Sequence, residues 1–184
     1  MADTRELMVA IDLRDDLSDD EVSELRWHLG LAPQPRELPI WSTLSPVARA
    51  MYEDEDGNLV VDDEPHPILD GRGAGHHIPG TLFSELVRRD GAGQVGWALA
   101  VRQEMHPDDE WDIEALLLWL VAHADLPCGA CTAGNCPAGC EFFAGYRRFY
   151  EDPRLESHLV IKGGEVGWSE RTGTFVPVDG GDQI

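Results

Sequence analysis

VGWALAVRQEM, residues 95–105, runs directly into HPDDEWDIEALLLWLVAHAD, residues 106–125. The first stretch is an apolar run that ends in polar residues, and it reads as a strand. The second opens on acids and continues with an apolar body. That order suits a helix, because carboxylates stabilise the positive N-terminal end of the helix dipole. Between Ala115 and Ala122 the helix is apolar nearly all round, which predicts deep burial. The same plan occurs near the start of the chain. RELMVAIDLR, residues 5–14, reads as a strand, and SDDEVSELRWHLG, residues 18–30, as a helix. Ser18 and Glu21 stand at capping-box spacing, Gly30 supplies the stop, and Val22, Leu25 and Leu29 share one face.

The two helix starts, DDEVSELRWHLGL and DDEWDIEALLLWL, form a weak internal duplication that suggests two β-α-β halves. GTLFSELVRR (80–89) reads as a strand that hairpins into 95–105 through DGAGQ, and SHLVIK (157–162) as a closing strand. The expectation is a single α+β domain over 1–184 with a ferredoxin-like βαββαβ core. Three pieces lie outside that plan. Residues 31–80 hold seven of the twelve prolines and are too long for a simple connection, so they read as an insertion. Residues 128–151 read as a cysteine loop plus a helix. Residues 163–178 read as small C-terminal hairpins.

All four cysteines fall in CGACTAGNCPAGC, residues 128–140, spaced C-x2-C-x4-C-x3-C. Four thiolates complete a tetrahedral zinc site, and a site with no open position is structural. The aromatics of EFFAGYRRFY, at i, i+1, i+4, i+7 and i+8, read as a helix that begins beside Cys136 and Cys140. A zinc ion on Cys128, Cys131, Cys136 and Cys140 would then join two helices. Rival readings are an iron–sulfur cluster, whose usual run has a shorter middle gap and a following proline, and a disulfide or redox dithiol.

With 35 acidic and 14 basic residues, the formal net charge is −21. A field of that sign repels a phosphate backbone, so direct nucleic-acid binding is not expected, whereas a protein with a basic surface is favoured. The N-terminal segment has no basic region followed by a long apolar run, and the most apolar window is far shorter than a membrane span. A cytoplasmic location is the expectation, with no membrane partner.

Catalytic motifs are sparse. Gly91, Gly93 and Gly96 spell G-x-G-x-x-G, but a strand follows them, so they read as a hairpin turn rather than a dinucleotide site. Arg72, His76 and His77 stand together in GRGAGHHIPG and form the candidate ligand site, with His76 and His77 the place to look for acid–base chemistry. Arg147 and Arg148 read as surface cations that pair with nearby acids, and His123 as a residue near a helix C-terminus. The leading functional expectation is a non-catalytic, acidic, zinc-stabilised binding protein of inhibitor, immunity or adaptor type, with no catalytic residue assigned. The alternative is a small-molecule-binding protein or enzyme whose site lies near His76 and His77, beside the insertion. A weaker one is an iron–sulfur redox protein.

Overall fold

The computed structural model describes residues 4–44, 51–53, 57–61, 64–91, 94–126, 140–149, 156–163, 165–170 and 173–178. It is an α+β structure dominated by antiparallel sheet. The strands are β1 (Arg5–Leu13), β2 (Met51–Glu53), β3 (Leu59–Val61), β4 (Gly73–Ala74), β5 (Thr81–Gly91), β6 (Gln94–Met105), β7 (Glu141–Phe149), β8 (Glu156–Lys162), β9 (Glu165–Glu170) and β10 (Phe175–Pro177). Helices α1 (Asp19–His28), α2 (Pro39–Thr43) and α3 (Glu110–Ala122) accompany them. Among the described residues, eight strands form one antiparallel sheet in the order β10-β9-β8-β7-β1-β6-β5-β4, and β2 and β3 form a separate hairpin. Among these residues no helix is long and apolar enough to cross a membrane.

The period-two pattern of β1 sets the two faces of this sheet. Leu7, Val9 and Leu13 are buried in one core cluster with Leu25 and Leu29 of α1 and with Ile113, Leu116 and Leu120 of α3. Each such side chain contributes roughly 1.5–3 kcal/mol by leaving water. Leu99 and Val101 of β6 and Leu86 of β5 join the same cluster. Both helices therefore lie on one face, and the alternate residues Glu6, Met8, Ala10 and Asp12 look out from the other. The capping box forms: the Ser18 side chain accepts from the Glu21 N–H, and Glu21 accepts from the Ser18 N–H. Gly30 ends the helix at φ +62, a conformation open to glycine. The long β5–β6 hairpin pairs from Phe83↔Arg102 to Gly91↔Gln94.

Two expectations need correction. Residues 141–149 form strand β7, not the helix that their aromatic spacing suggested. The register shifts between Phe143 and Gly145, so an extra residue interrupts the alternation. Phe142 packs against the core, whereas Phe143 on the opposite face is 64% exposed. Past the bulge, Tyr146 reaches Glu6 on the open face. Open-face aromatics thus stand three apart instead of two or four, and a bulged strand imitates helical spacing. Gly145 lies so close to β1 that a Cβ would collide with the Met8 carbonyl oxygen. The second correction follows from the first. The strand that pairs with β1 is β7, over Arg5↔Phe149 to Val9↔Gly145, and residues 156–162 form the next strand out.

Arginine pairs weld these strands together. Glu6 is only 1% exposed, yet it sits on the open face. It accepts from Arg102 Nε of β6 at 2.8 Å, from Arg148 Nε of β7 at 2.7 Å and from the Tyr146 hydroxyl at 3.2 Å. Arg102 continues the chain by donating to the carbonyls of Thr81 and Pro79 at 2.8 and 2.7 Å. Burial pushes the Glu6 carboxyl up, but hydrogen bonds and charge from Arg148 and Arg102 outweigh it and hold the group below its ordinary value. On the other face Arg147 pairs with Glu110 and lies over the Trp168 ring, 4.3 Å from its centre.

Candidate functional site

The insertion folds back along the sheet and builds an acidic cleft against the start of α3. Its course is fixed by buried anchors and by polar clamps. Leu69 and Ile78 are buried, and the Leu69 N–H donates to the His28 carbonyl at 2.8 Å. Gln103, itself buried, donates to the carbonyls of Leu69 and Gly71 and to the Ser84 hydroxyl. A Cβ on Gly71 would meet the Gln103 amide oxygen, so glycine there lets Gln103 keep its place. One oxygen of Glu104 accepts from the His77 N–H at 2.6 Å and the Ile78 N–H at 2.8 Å. Burial raises that carboxyl, and the two backbone donors more than offset the effect, so Glu104 titrates below its usual value.

Across the cleft, His66 Nε2 stands 3.2 Å from Asp112 Oδ2 in the first turn of α3. Burial pushes the Asp112 carboxyl up, and the neighbouring His66 only partly counters it. The His66 ring meets Trp41 of α2 edge-on at 5.3 Å. That helix is held in turn by the wholly buried Glu24, whose carboxylate accepts from the N–H groups of Ile40 and Trp41 at 2.5 and 2.6 Å. Behind Trp41 lies His28, also wholly buried, with neither ring nitrogen hydrogen-bonded among the described residues. The resulting cleft measures about 310 Å³, and its polar walls are His66, His76, Asp70, Glu104, Asp109 and Asp112, with Gln103 beside them. No lysine or arginine lines it among the described residues.

Of the three ligand-site residues expected from sequence, His76 lines this cleft and the other two do other work. The exposed His77 contributes its backbone N–H to Glu104. Arg72 closes the end of α1 by donating to the carbonyls of Gly30 and Leu29, both at 3.1 Å, and to that of Ser84 at 3.3 Å. His66, Asp109, Asp112 and Glu104 carried no local signal. The acids of residues 108–112 were fully accounted for as a helix start, and Glu104 as a strand end. No family model matches the chain, and no curated protein or solved structure matches it. The chemistry therefore has to be read from this geometry alone.

Among the described residues, no three His, Cys, Asp or Glu side chains are grouped to hold a metal ion. The carboxylates of the cleft are spread around its rim, which suits a cation that distributes several N–H donors. Of the four cysteines, Cys128, Cys131 and Cys136 lie outside the described residues. Cys140 is half-buried, packs against the core, and accepts the Gly163 N–H at its carbonyl, 3.3 Å away. Gly91 closes the β5–β6 hairpin, Gly93 lies outside the described residues, and Gly96 makes a close approach to the Leu13 carbonyl. His123 stands at the C-cap of α3, where its Nδ1 lies 2.9 Å from the Trp119 carbonyl oxygen.

Proposed function

We propose that this chain is a non-catalytic acidic binding protein that engages a protein partner with a basic surface, and that the cleft beside Asp112 and Glu104 receives one of the partner's basic side chains. The observation that carries this reading is the cleft's wall, with four carboxylates and two histidines and no cation among the described residues. A guanidinium placed there would meet acceptors on several sides, and the overall charge of −21 would steer it in. The test is a titration followed by amide NMR, with N-acetyl-arginine methylamide against its uncharged citrulline isostere. The arginine compound is expected to shift Asp112, His66 and Glu104, with the effect lost in Asp112→Asn and weakened by salt. Equal shifts from both compounds would overturn the reading, as would a captured partner whose hold is indifferent to high salt.

The alternative, a small-molecule site or enzyme in the same cleft, is favoured by one feature. A carboxyl with a raised pKa stands 3.2 Å from a histidine, the pairing that acid–base chemistry uses.

Two structural readings go with the proposal. The core is read as ferredoxin-like, supported by elements in the order β1, α1, β5, β6, α3, β7 and by the antiparallel strand order β7-β1-β6-β5, with the insertion between α1 and β5. Zinc on Cys128, Cys131, Cys136 and Cys140 is read as a structural clamp on the loop of residues 128–140. Both flanks of that segment, Leu126 on one side and Phe142 on the other, line one cleft at the same end of the sheet. Metal analysis that found one zinc per chain, and a melt lowered by chelation, would support the clamp. Iron with sulfide would replace it with the cluster reading.

A further inference from the structure

A second cleft, larger than the first, lies on the open face, centred further along β6. Here β7 parts from β1. Pairing between them stops at Val9↔Gly145, and β1 turns instead to the segment after α3. Leu13 bridges Ala124, the Asp125 N–H donates to the Asp12 carbonyl at 2.7 Å, and the Arg14 N–H donates to the His123 carbonyl at 3.0 Å. The split leaves a hollow of about 500 Å³. That volume lies within the roughly 300–1,000 Å³ of small-molecule sites. Its floor is made of alanines from two adjacent strands, with Ala10 opposite Ala100 and Asp12 opposite Ala98. Small side chains at these positions create the depth. Its walls are apolar and stand open: Phe143 is 64% exposed and Val87 55%.

The charges at the rim decide what fits. Asp12 is neutralised by Arg89 at 2.6 Å. Glu85 and Asp125 also line the hollow, and among the described residues neither side chain has an ion-pair or hydrogen-bond partner. An apolar hollow with two uncompensated carboxylates selects a ligand with an apolar body and a positive head. Phe143 adds an aromatic surface on which an ammonium group is stabilised. A second copy of this chain would bring the same negative field against it, and a neutral apolar ligand would leave the carboxylates unanswered.

We infer that the cleft between β1 and β7 binds a small hydrophobic amine, one apolar group carrying a single ammonium, at a site separate from the His66–Asp112 cleft. The probes are octylammonium, octanol and octanoate below their aggregation limits, with amide NMR as the readout. Octylammonium is expected to shift Ala10, Ala98, Ala100 and Phe143 and to bind at least tenfold more tightly than octanol, with octanoate weakest. Ala10→Phe fills the hollow from an exposed floor position and is expected to abolish binding while leaving the thermal melt in place. Glu85→Gln with Asp125→Asn keeps the shape and is expected to bring octylammonium down to the level of octanol. Asp112→Asn should change neither result. Equal affinity for the three probes overturns the inference. So do octylammonium shifts scattered over the acidic surface and indifferent to Ala10→Phe. Concentration-dependent dimerisation abolished by Ala10→Phe would also overturn it, by giving the face to a second copy.

Discussion

Glu6→Gln tests the central claim about how the sheet is held. The substitution keeps the shape of the side chain and removes its charge. Its amide oxygen can still accept from one arginine, but its NH2 group then points donors at the other. Breaking a buried ion pair by removing one partner costs about 3–5 kcal/mol. Here Arg102 and Arg148 are 17% and 34% exposed, so water recovers part of the stranded charge. The expected loss is therefore about 2–3 kcal/mol, at the lower end of that range and below it. For a chain of this length that corresponds to a fall in Tm of roughly 4–12 °C.

The pH dependence makes the test sharper. The folded-state pKa of Glu6 is depressed below its ordinary 4.5. Its contribution is then fully present above the unfolded value and is lost as pH falls through the folded value. Urea unfolding of both proteins from pH 7 to pH 3 should show the gap between them constant at first and closing below about pH 4.5. A Glu6→Gln protein that melts within a degree or two of the parent, or a gap that stays constant down to pH 3, would refute the ion-pair account.

Gly145→Ala forces a methyl group against the Met8 carbonyl and should cost about 1–3 kcal/mol or more, with faster amide exchange along the β1–β7 ladder as the local signature. Asp112 has the opposite sign to Glu6. Its raised pKa means that the native state favours the protonated form, so its stabilising effect is complete below 3.8 and is lost as pH rises through the folded value. Asp112→Asn should accordingly gain stability relative to the parent as pH rises above 3.8, and show no such gain below it, in urea titrations. For a basic partner, salt should slow association, whereas Asp112→Asn should speed dissociation, and surface plasmon resonance separates the two.

What the sequence made legible is what depends on near neighbours. Ser18 and Glu21 act across three residues, and the helix they start is where their spacing placed it. The 95–105 strand and the following helix are equally local. Strand β7 is hard to read from sequence because the bulge before Gly145 removes the alternation by which a strand is recognised, and the close approach that calls for glycine at 145 is made to Met8 of β1, more than 130 residues earlier. The acidic cleft was half legible. His76 stood out in a glycine-rich segment, but His66 and Asp112 are 46 residues apart and meet only because the insertion folds back on α3. Glu6 looked like one polar position in a strand, and its partners lie 96 and 142 residues away.

The charge of the chain takes on a sharper meaning once these pairs are placed. The basic residues are few, and several of them are used inside the fold. Arg102 and Arg148 are spent on Glu6, Arg5 and Arg147 on Glu110, and Arg89 on Asp12. Each such pair cancels one cation against one anion, and where two arginines share a carboxylate a cation is held in excess. The acids left outside are therefore less diluted by positive charge than a count of residues suggests. Both clefts sit in that field, and among the described residues each has carboxylates without a cationic partner on its wall. A positive ligand approaching either one meets long-range attraction first and fixed acceptors second. Selectivity between the two clefts then falls to shape: Asp112, Glu104 and two histidines offer hydrogen-bond acceptors to a polar cation, whereas alanines and Phe143 offer an apolar floor to a hydrophobic one.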